Sequence, residues 1–506
     1  MKMFLKTYGM SLASGVLVAL AFPSWGLWFL GWAGLALLFW RVAALRPRDA
    51  GAQFFAAGWI FHSLLLHWLT ANIFWAGGWA LVGYQLLCIG LALFWAVIGV
   101  AWAWARTRRG GLGGALGLAL LWPAMELAMA RLFSGFGWSA LAYSQGPNLL
   151  LVQWAAIGGV ALVGFLIALI SGLVALGIRE RHWRWYRLAA AVVLLAAVHG
   201  VGGFLYAGPG APEGAIEVGI VQTGFAQEMK YYGGYEEHLV DRAARQTANL
   251  CGRSSPDLVV WPEATVMGSF DAPPFEAMLA AVAAENDTTL FTGAVRRADN
   301  RGYNAGALVQ PGSGVGDYYD KVHLVPFGEY MPFEDSLPFL RQLVPVDAAA
   351  GEKQKVFDVA GRAFGPLICF EVLHAPLVEN LRELGADFLV VVTNLAWFGQ
   401  SGALAQEFEL GRMRAIETRL PLVHAANTGI SGVFDPYGNF RGMHDTYPPE
   451  ATRMRPMART FALPAPAARP LAGGPRYVPY ALAVGAVVLL LIAAVWPEAR
   501  ADAVEA

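Results

Sequence analysis

The distribution of apolar residues is the feature that most constrains what this chain can fold into. A helix needs about 20 mostly apolar residues to cross the hydrocarbon core of a bilayer. Seven such segments precede residue 207 and one follows residue 476. They span residues 7–22, 26–44, 52–72, 79–105, 112–131, 149–178, 187–206 and 478–496. We therefore predict a polytopic α-helical membrane domain with about eight transmembrane helices, seven within residues 1–206 and the eighth, with a cytoplasmic tail, within residues 477–506.

The composition supports a membrane location and limits the classes of partner. Hydrophobic residues make up 57% of the 506-residue chain and charged residues only 14%, whereas a soluble globular domain carries about 25% charged residues. A net charge of -1 gives no basis for nucleic-acid binding. The three cysteines, Cys88, Cys251 and Cys369, are too few to indicate a disulfide framework.

Basic residues between the apolar segments predict the orientation. Lys and Arg concentrate in cytoplasmic loops, and here they precede the first segment and follow the second, fourth and sixth. These residues are Lys2, Lys6, Arg41, Arg46, Arg48, Arg106, Arg108, Arg109, Arg179, Arg181, Arg184 and Arg187. An odd number of crossings before residue 207 then places residues 207–476 outside the cytoplasm.

Residues 207–476 have the pattern of an α/β domain. Short β-branched or apolar runs, which are typical of buried strands, alternate there with helical patterns. The predicted strands are 216–221, 257–261, 290–295, 366–369, 388–393 and 422–426, and the predicted helices are 235–250, 275–284, 375–384 and 406–418. A linker rich in Pro, Ala and Gly at 464–475 leads to the last apolar segment. The alternation predicts a layered α/β sandwich.

Three residues of this block could together carry out thiol acyl transfer. Glu263 and Cys369 each end an apolar run, and Lys321 follows a tyrosine pair. A thiol becomes a nucleophile when it is ionised or has a base beside it, and Glu263 could be that base. Lys321 could favour the thiolate and stabilise the oxyanion of a tetrahedral intermediate, with the backbone N–H of Phe370 as a second donor.

Each of these residues alone also has a structural explanation. A single cysteine in an apolar run usually packs in a core. A glutamate after Trp-Pro suits the first turn of a helix, and a lysine beside Asp320 is usually a solvated charge. The order and the local contexts of the three residues together are more specific than any one of them.

The motifs around these residues resemble those of the nitrilase superfamily, and in particular its membrane branch, the apolipoprotein N-acyltransferases. The likeness extends over almost the whole chain, including the apolar segments. The motifs are Trp261-Pro-Glu263, Tyr319-Asp-Lys-Val-His-Leu-Val-Pro-Phe-Gly-Glu-Tyr-Met-Pro332, Ile368-Cys-Phe-Glu371, Asn394-Leu-Ala-Trp-Phe-Gly399, Arg412-Met-Arg-Ala-Ile-Glu417 and Ala426-Asn-Thr-Gly-Ile430. In the membrane part, Leu121-Trp-Pro-Ala-Met-Glu126 and Gly135-Phe-Gly-Trp-Ser139 are also similar.

The resemblance implies a nitrilase-like αββα sandwich with a Glu-Lys-Cys triad. It gives Glu263, Lys321 and Cys369 the roles already derived for them. It adds Glu329 and Glu371 as accessory acids near the triad, although Glu371 could equally be an anchor for Lys321.

The same resemblance implies roles for several aromatic residues. The chain also departs from the family pattern at several positions. Trp397 and Phe398 would line an acyl pocket or simply pack, and Tyr231, in the substrate site, stands where the family commonly has tryptophan. Phe370 replaces a tyrosine, Leu395 replaces an aspartate, and Gln222-Thr-Gly224 replaces Gln-Gly-Asn. None of these departures changes a triad residue, so we expect them to affect substrate preference and the motion of lid loops. The candidate lid loops are residues 230–235 and the segment after Pro332.

The family likeness implies a two-step transfer and its partners. The donor would be a phospholipid similar to phosphatidylethanolamine, and the acceptor a diacylglyceryl apolipoprotein. No cofactor is needed, and no His, Cys or carboxylate pair has metal-ligand spacing. We expect a monomer in the bacterial inner membrane, with residues 207–476 as the catalytic domain facing the periplasm.

Two other functions remain open from the sequence. One is a membrane-tethered amidase or nitrilase that hydrolyses small amides. The other is a catalytically silent homologue that binds lipoprotein precursors, which a low-pKa, fast-reacting Cys369 would argue against.

Overall fold

The computed structural model describes residues 2–73, 77–109, 112–133, 135–180, 182–206, 216–231, 235–332, 348–443 and 455–495. These fall into two compact units, one formed by residues 2–73, 78–206 and 470–495 and the other by Gly77 and the described residues among 216–469. Several predicted features lie outside the described residues: Arg181, the side chains of Lys2, Arg108, Arg109 and Tyr231, the boundary at 207–215, most of both candidate lids, and the tail at 496–506.

The first unit is built from helices. They are α1 Lys2–Ala21, α2 Phe29–Val42, α3 Pro47–Leu65, α4 Trp79–Arg109, α5 Leu112–Arg131, α6 Leu149–Val152, α7 Ala155–Arg179, α8 Arg184–Leu205 and α13 Gly474–Val495. Every predicted apolar segment overlaps a helix. By length and composition, five of the described helices, α1, α4, α7, α8 and α13, could cross a membrane. This confirms the apolar helical region, while the number of eight crossings stays a prediction.

Two predicted membrane helices have different limits in the structure. The third begins earlier, with Pro47 in the first turn, where a missing N–H costs nothing, and gives way after Leu65 to the 3₁₀ turn His67–Asn72. The sixth is interrupted between α6 and α7 and is kinked again at Gly158 and Gly159. Gly159 has a φ of 67°, which a residue with a Cβ rarely adopts.

The second unit is a sandwich of two six-stranded sheets. Its strands are β1 Ile216–Gln222, β2 Leu258–Ser269, β3 Thr289–Ala298, β4 Arg301–Gln310, β5 Gly314–Asp320, β6 Phe357–Val359, β7 Arg362–Ile368, β8 Phe388–Thr393, β9 Leu422–Ala426, β10 Gly432–Phe434, β11 Phe440–Gly442 and β12 Met457–Leu463. The sheet orders are β12-β1-β2-β3-β4-β5 and β11-β10-β9-β8-β7-β6. The pairs β1/β2, β2/β3, β7/β8 and β8/β9 are parallel, and the others are antiparallel.

The inner faces of the two sheets share one apolar core, and helices cover the outer faces. Ile220 and Phe291 of the first sheet belong to the same buried cluster as Phe364 and Val390 of the second. The helices are α9 Glu236–Cys251, α10 Phe275–Asn286, α11 Ala375–Glu383 and α12 Ala403–Thr418. Helices α9 and α10 pack on β2 and β3 in a second cluster, and a Cβ on Gly365 of β7 would meet Leu381 of α11. The predicted αββα sandwich is confirmed.

The sequence pattern did not predict six of the twelve described strands. Strands β4, β5 and β12 are partly exposed and carry polar residues, so they lack the continuous apolar run of a central strand. Strands β6, β10 and β11 have only three residues each. The central parallel strands matter most for function, because their carboxyl ends share one edge of each sheet.

Candidate active site

Cys369 stands directly after the buried strand β7, at a sharp turn. Its φ is 53°, in the left-handed region, which costs a non-glycine residue about 1–2 kcal/mol. The chain continues as the 3₁₀ turn Cys369–Leu373, and the Glu371 carboxylate reaches back to accept the N–H of Ile368 at 2.8 Å. The strained residue is therefore held in place by its own turn. Backbone strain of this kind is concentrated at functional sites.

Glu263 lies in an irregular part of β2, where the register with β3 shifts between Trp261 and Val266. Its neighbour Ala264 has a φ of 53°. A Cβ on Gly293 of β3 would lie 2.4 Å from the Glu263 Cα, so glycine there permits the close approach. The Glu263 Oε1 accepts the Asn304 amide at 2.7 Å and Oε2 accepts the Asn394 backbone N–H at 2.8 Å. Both oxygens are thus fixed in direction.

Lys321 follows β5 directly and is buried, with 1% of its side chain exposed. Its Nζ lies 2.9 Å from Glu329 Oε2 and 4.0 Å from Glu263 Oε1. Burial alone lowers the pKa of Lys321, but the charges of Glu329 and Glu263 more than offset this and raise the pKa above its ordinary value. The lysine therefore stays a cation throughout the physiological range.

Glu329 is the direct partner of Lys321. Burial raises the pKa of Glu329, but the charge and hydrogen bond of Lys321 outweigh burial, so the pKa lies below its usual range. The Asn304 amide nitrogen donates to Glu329 at 2.9 Å as well as to Glu263. One asparagine thus links the two carboxylates that flank the lysine.

Glu371 contacts the backbone beside Lys321 rather than its ammonium group. It accepts the Tyr319 hydroxyl at 2.8 Å and the N–H groups of Val322 and His323 at 2.9 and 3.1 Å. Burial raises the pKa of Glu371, while these donors and that of Ile368 oppose the rise. The contacts join the turn after Cys369 to the segment that carries Lys321, which favours the anchoring role over that of an accessory acid.

The Cys369 thiol does not have the low pKa that Lys321 alone would favour. Burial and the negative charges of Glu263 and Glu407 raise the pKa of Cys369 well above its usual value, and Lys321 and the Thr393 hydroxyl only partly oppose this. The sequence points to Lys321 and Glu263 but not to Glu407, whose charge adds to the rise in the thiol pKa. The resting thiol is protonated, so the chemistry depends on the adjacent base.

The remaining predicted residues lie in short 3₁₀ turns. Phe370 and Glu371 lie in the turn that begins at Cys369. Trp397 and Phe398, both half-buried, form a 3₁₀ turn after β8 with Leu395. Tyr231 ends the 3₁₀ turn Gln227–Tyr231.

Five further residues of the site were given no catalytic or accessory role from the sequence. Asn304 and Asn394 orient Glu263, and Lys230 donates to the carbonyl oxygens of Glu263 and Ala264 at 3.4 and 3.0 Å. Thr393 and Glu407 approach the thiol. A mid-strand asparagine is unusual enough to have drawn attention to Asn304.

In the part of the chain that the structure describes, no group of three or more His, Cys, Asp or Glu side chains could hold a metal ion.

Two family models match the chain. Residues 14–173 match the apolipoprotein N-acyltransferase N-terminal domain, and residues 226–446 match carbon-nitrogen hydrolase. An apolipoprotein N-acyltransferase from Geobacter metallireducens is 33% identical over 454 residues, which is 87% of each chain. One from Agrobacterium fabrum is 32% identical over 462 residues, covering 85% of this chain and 86% of the relative.

Solved structures match about half of the chain and are less similar in sequence. A carbon-nitrogen hydrolase superfamily protein from Xanthomonas campestris is 19% identical with a TM-score of 0.38, over 49% of this chain and 90% of its own. A mutant of the amidase from Nesterenkonia sp. AN1 is 18% identical with a TM-score of 0.37, over 49% of this chain and 93% of its own.

Proposed function

Because the chain belongs to the apolipoprotein N-acyltransferase family, we propose that it transfers an acyl chain from a membrane phospholipid, through a thioester on Cys369, to the α-amine of a diacylglyceryl-cysteine at a lipoprotein N-terminus. The observation that carries the residue assignment is the convergence of Glu263 and Lys321, 4.0 Å apart, around the thiol whose pKa both influence.

The first step forms the acyl-enzyme. Glu263 takes the thiol proton as the Cys369 sulfur attacks the ester carbonyl of the phospholipid, and Lys321 stabilises the resulting oxyanion. The C–O bond to the glycerol oxygen then breaks, and Glu263 returns the proton to that oxygen. A lysophospholipid leaves, and a thioester remains on Cys369.

The second step uses the same groups in the same order. The lipoprotein α-amine attacks the thioester carbonyl, and Glu263 accepts a proton from the amine. The C–S bond breaks, and Glu263 returns the proton to the sulfur. The products are an amide and the resting thiol, so the cycle needs no added cofactor.

The environment of Glu263 suits this alternation. Burial raises its pKa, opposed by Lys321 and by the Asn304 hydrogen bond. A carboxyl group whose pKa is moved upward towards neutrality is an effective proton acceptor and donor. The fixed directions of its two oxygens support transfer along one path.

We extend the proposal to location and organisation. Residues 1–206 form the membrane domain, residues 207–476 the periplasmic catalytic domain, and residues 477–506 the eighth crossing and tail of a monomeric inner-membrane enzyme. The basic residues of the even loops support this orientation. Apolar helices immediately before and after the catalytic domain in the sequence would tether it at both ends near its lipid substrates.

Intact mass spectrometry of the detergent-purified full chain tests the proposal. Incubation with phosphatidylethanolamine should add a hydroxylamine-labile acyl group to Cys369, and a diacylglyceryl-cysteine peptide should then remove it by N-acylation. Cys369→Ala should form no adduct, while the matched control Cys251→Ala, which removes the other thiol of the same unit, should form it. An adduct that only hydrolyses, or none in folded protein, would contradict the transferase.

A further inference from the structure

A second buried acid lies beside the thiol and has no part in the steps above. Glu407 of α12 is fully buried, and the Cys369 thiol is one of its hydrogen-bond partners. It comes from a different element than Glu263, which approaches from β2. The site therefore holds two carboxyl groups next to one nucleophile.

The Thr393 hydroxyl connects Glu407 to the sulfur. Its Oγ1 lies 2.9 Å from Glu407 Oε1 and 3.1 Å from Oε2, and it is also a hydrogen-bond partner of the Cys369 thiol. A hydroxyl has one proton to donate. If Glu407 is ionised, it accepts that proton and competes for the thiol proton. If Glu407 is neutral, its own O–H can be donated to Thr393, which leaves the Thr393 proton for the sulfur.

The groups around Glu407 favour its neutral form. His424 of β9 donates from Nδ1 to the Ile430 carbonyl at 2.8 Å, so its Nε2, 3.7 Å from Glu407 Oε2, presents a lone pair. That separation exceeds hydrogen-bond reach, so the carboxyl proton is directed to Thr393. The charged groups facing Glu407 are Glu263, which repels a second negative charge, and Lys321, which is already paired with Glu329.

We propose that Glu407 is a positioning residue whose protonation switches the nucleophile on: the neutral carboxyl group directs the Thr393 hydroxyl proton onto the Cys369 sulfur, and ionisation reverses this hydrogen-bond chain. The inference rests on the proposed role of Cys369. In the active state the hydrogen-bond chain runs from the Glu407 O–H to the Thr393 hydroxyl and on to the sulfur. It stabilises the developing thiolate while Glu263 takes the thiol proton. In the ionised state the thiolate loses its donor and faces a like charge.

The switch has a definite pH range. Burial, together with the charge of Glu263, raises the pKa of Glu407 to about 8, against hydrogen bonds from Thr393 and Cys369 and the charge of Lys321. Burial lowers the pKa of His424 to about 4, so His424 does not titrate in this range. Acyl-enzyme formation should therefore decline above pH 8, although a thiol mechanism without such a group gains rate, or stays level, as the pH rises.

The test is the ratio of acyl-enzyme formation rates at about pH 9.5 and about pH 7. With a pKa of about 8, the neutral fraction of Glu407 falls about 30-fold between these values, and the wild-type rate should fall with it. Glu407→Gln cannot ionise and still has an N–H₂ donor for Thr393, so whatever rate it retains should not fall. The control is Glu409→Gln, which removes a buried carboxyl group of the same helix that pairs instead with Arg412; it should keep the wild-type ratio.

Two results would overturn the inference. One is a Glu407→Gln variant that keeps the wild-type decline. The other is a folded Glu407→Gln variant that forms no acyl-enzyme at any pH, because this would make the carboxylate the required form. Thr393→Val should remove the connection and lower the rate at both pH values, and Thr393→Ser should restore the wild-type ratio.

A second readout separates this inference from the proposed function. Alkylation of Cys369 by iodoacetamide needs no phospholipid, and its pH profile should be steeper above pH 8 in Glu407→Gln than in the wild type. If the wild type forms no thioester but the alkylation profiles differ in this way, the acyl transfer fails and the switch stands. Identical alkylation profiles would refute the switch even where the thioester forms.

Discussion

Replacing Asn304 by leucine isolates the hydrogen bonds that set the proton affinity of Glu263. The side chain is similar in size but donates to neither Glu263 nor Glu329. Glu329 keeps Lys321 and the Val325 N–H, whereas Glu263 keeps the Asn394 N–H and the more distant Lys321. The change should therefore act mainly on the pKa of Glu263.

The sign and size follow from the contact that is lost. The Asn304 hydrogen bond lowers the pKa of Glu263, so its removal raises that pKa further. Glu263 must be ionised to accept the thiol proton, so activity is present above its pKa and is lost as the pH falls through it. A hydrogen bond to a charged group contributes about 1.5–3 kcal/mol, which corresponds to about a 10- to 100-fold lower rate on the acidic limb.

The assay is the rate of acyl-enzyme formation between about pH 5 and pH 9, followed by quenching and intact mass spectrometry. Asn249→Leu, an exposed asparagine on α9, serves as the control for the substitution itself. Thermal unfolding of both variants establishes that they fold. The reasoning is refuted if Asn304→Leu lowers the rate equally at every pH, since the hydrogen bond would then affect geometry and not the proton affinity of Glu263.

Three further predictions follow from the same contacts. Near pH 7.5, iodoacetamide should alkylate Cys369 at least about tenfold more slowly than a free model thiol, because its raised pKa keeps it protonated; equal or faster labelling, measured by peptide mass spectrometry, would contradict this. Glu371→Gln should lower the free energy of unfolding by about 1–3 kcal/mol, since an amide cannot accept on both sides as the carboxylate does, and an unchanged thermal midpoint would count against it. The pKa of Glu407 is raised in the folded state, so between about pH 4.5 and about pH 8 the unfolded state loses this proton more readily and the folded state loses stability as the pH rises. Relative to wild type, Glu407→Gln should therefore gain more stability at pH 8 than at pH 5, and a constant difference would exclude this.

Glu263, Lys321 and Cys369 could be singled out from the sequence because each has a recognisable local context. Glu263 and Cys369 follow buried apolar runs, and the carboxyl ends of parallel strands meet at shared edges. Lys321 follows the partly polar strand β5, and Tyr319, two residues before the lysine, donates to Glu371. The central strands were predictable for the same reason, since burial on both faces leaves a continuous apolar run.

The remaining site residues depend on pairings between distant parts of the chain. Asn304 reaches Glu263 because β4 pairs with β3, and Asn394 does so across 131 residues. Glu407 lies in a helix that the sequence did predict, but 15 of the 16 residues of α12 are buried. A helix without an exposed face has no amphipathic pattern to show which side chains point to the site. The sequence pattern therefore gives no sign that Glu407 faces the thiol.

The charges of the completed site explain how a free thiol could persist in an oxidising compartment. Lys321 is paired with Glu329, so it offsets only part of the effect that the charge of Glu263 has on the sulfur. A second negative charge on Cys369 or Glu407 is then disfavoured, and both groups hold their protons at rest. The thiolate is the form that is oxidised or forms disulfides. In the periplasmic location that we propose, a raised thiol pKa would protect Cys369 until a carbonyl group arrives to accept its electrons, and reactivity would depend on substrate rather than on the resting cysteine.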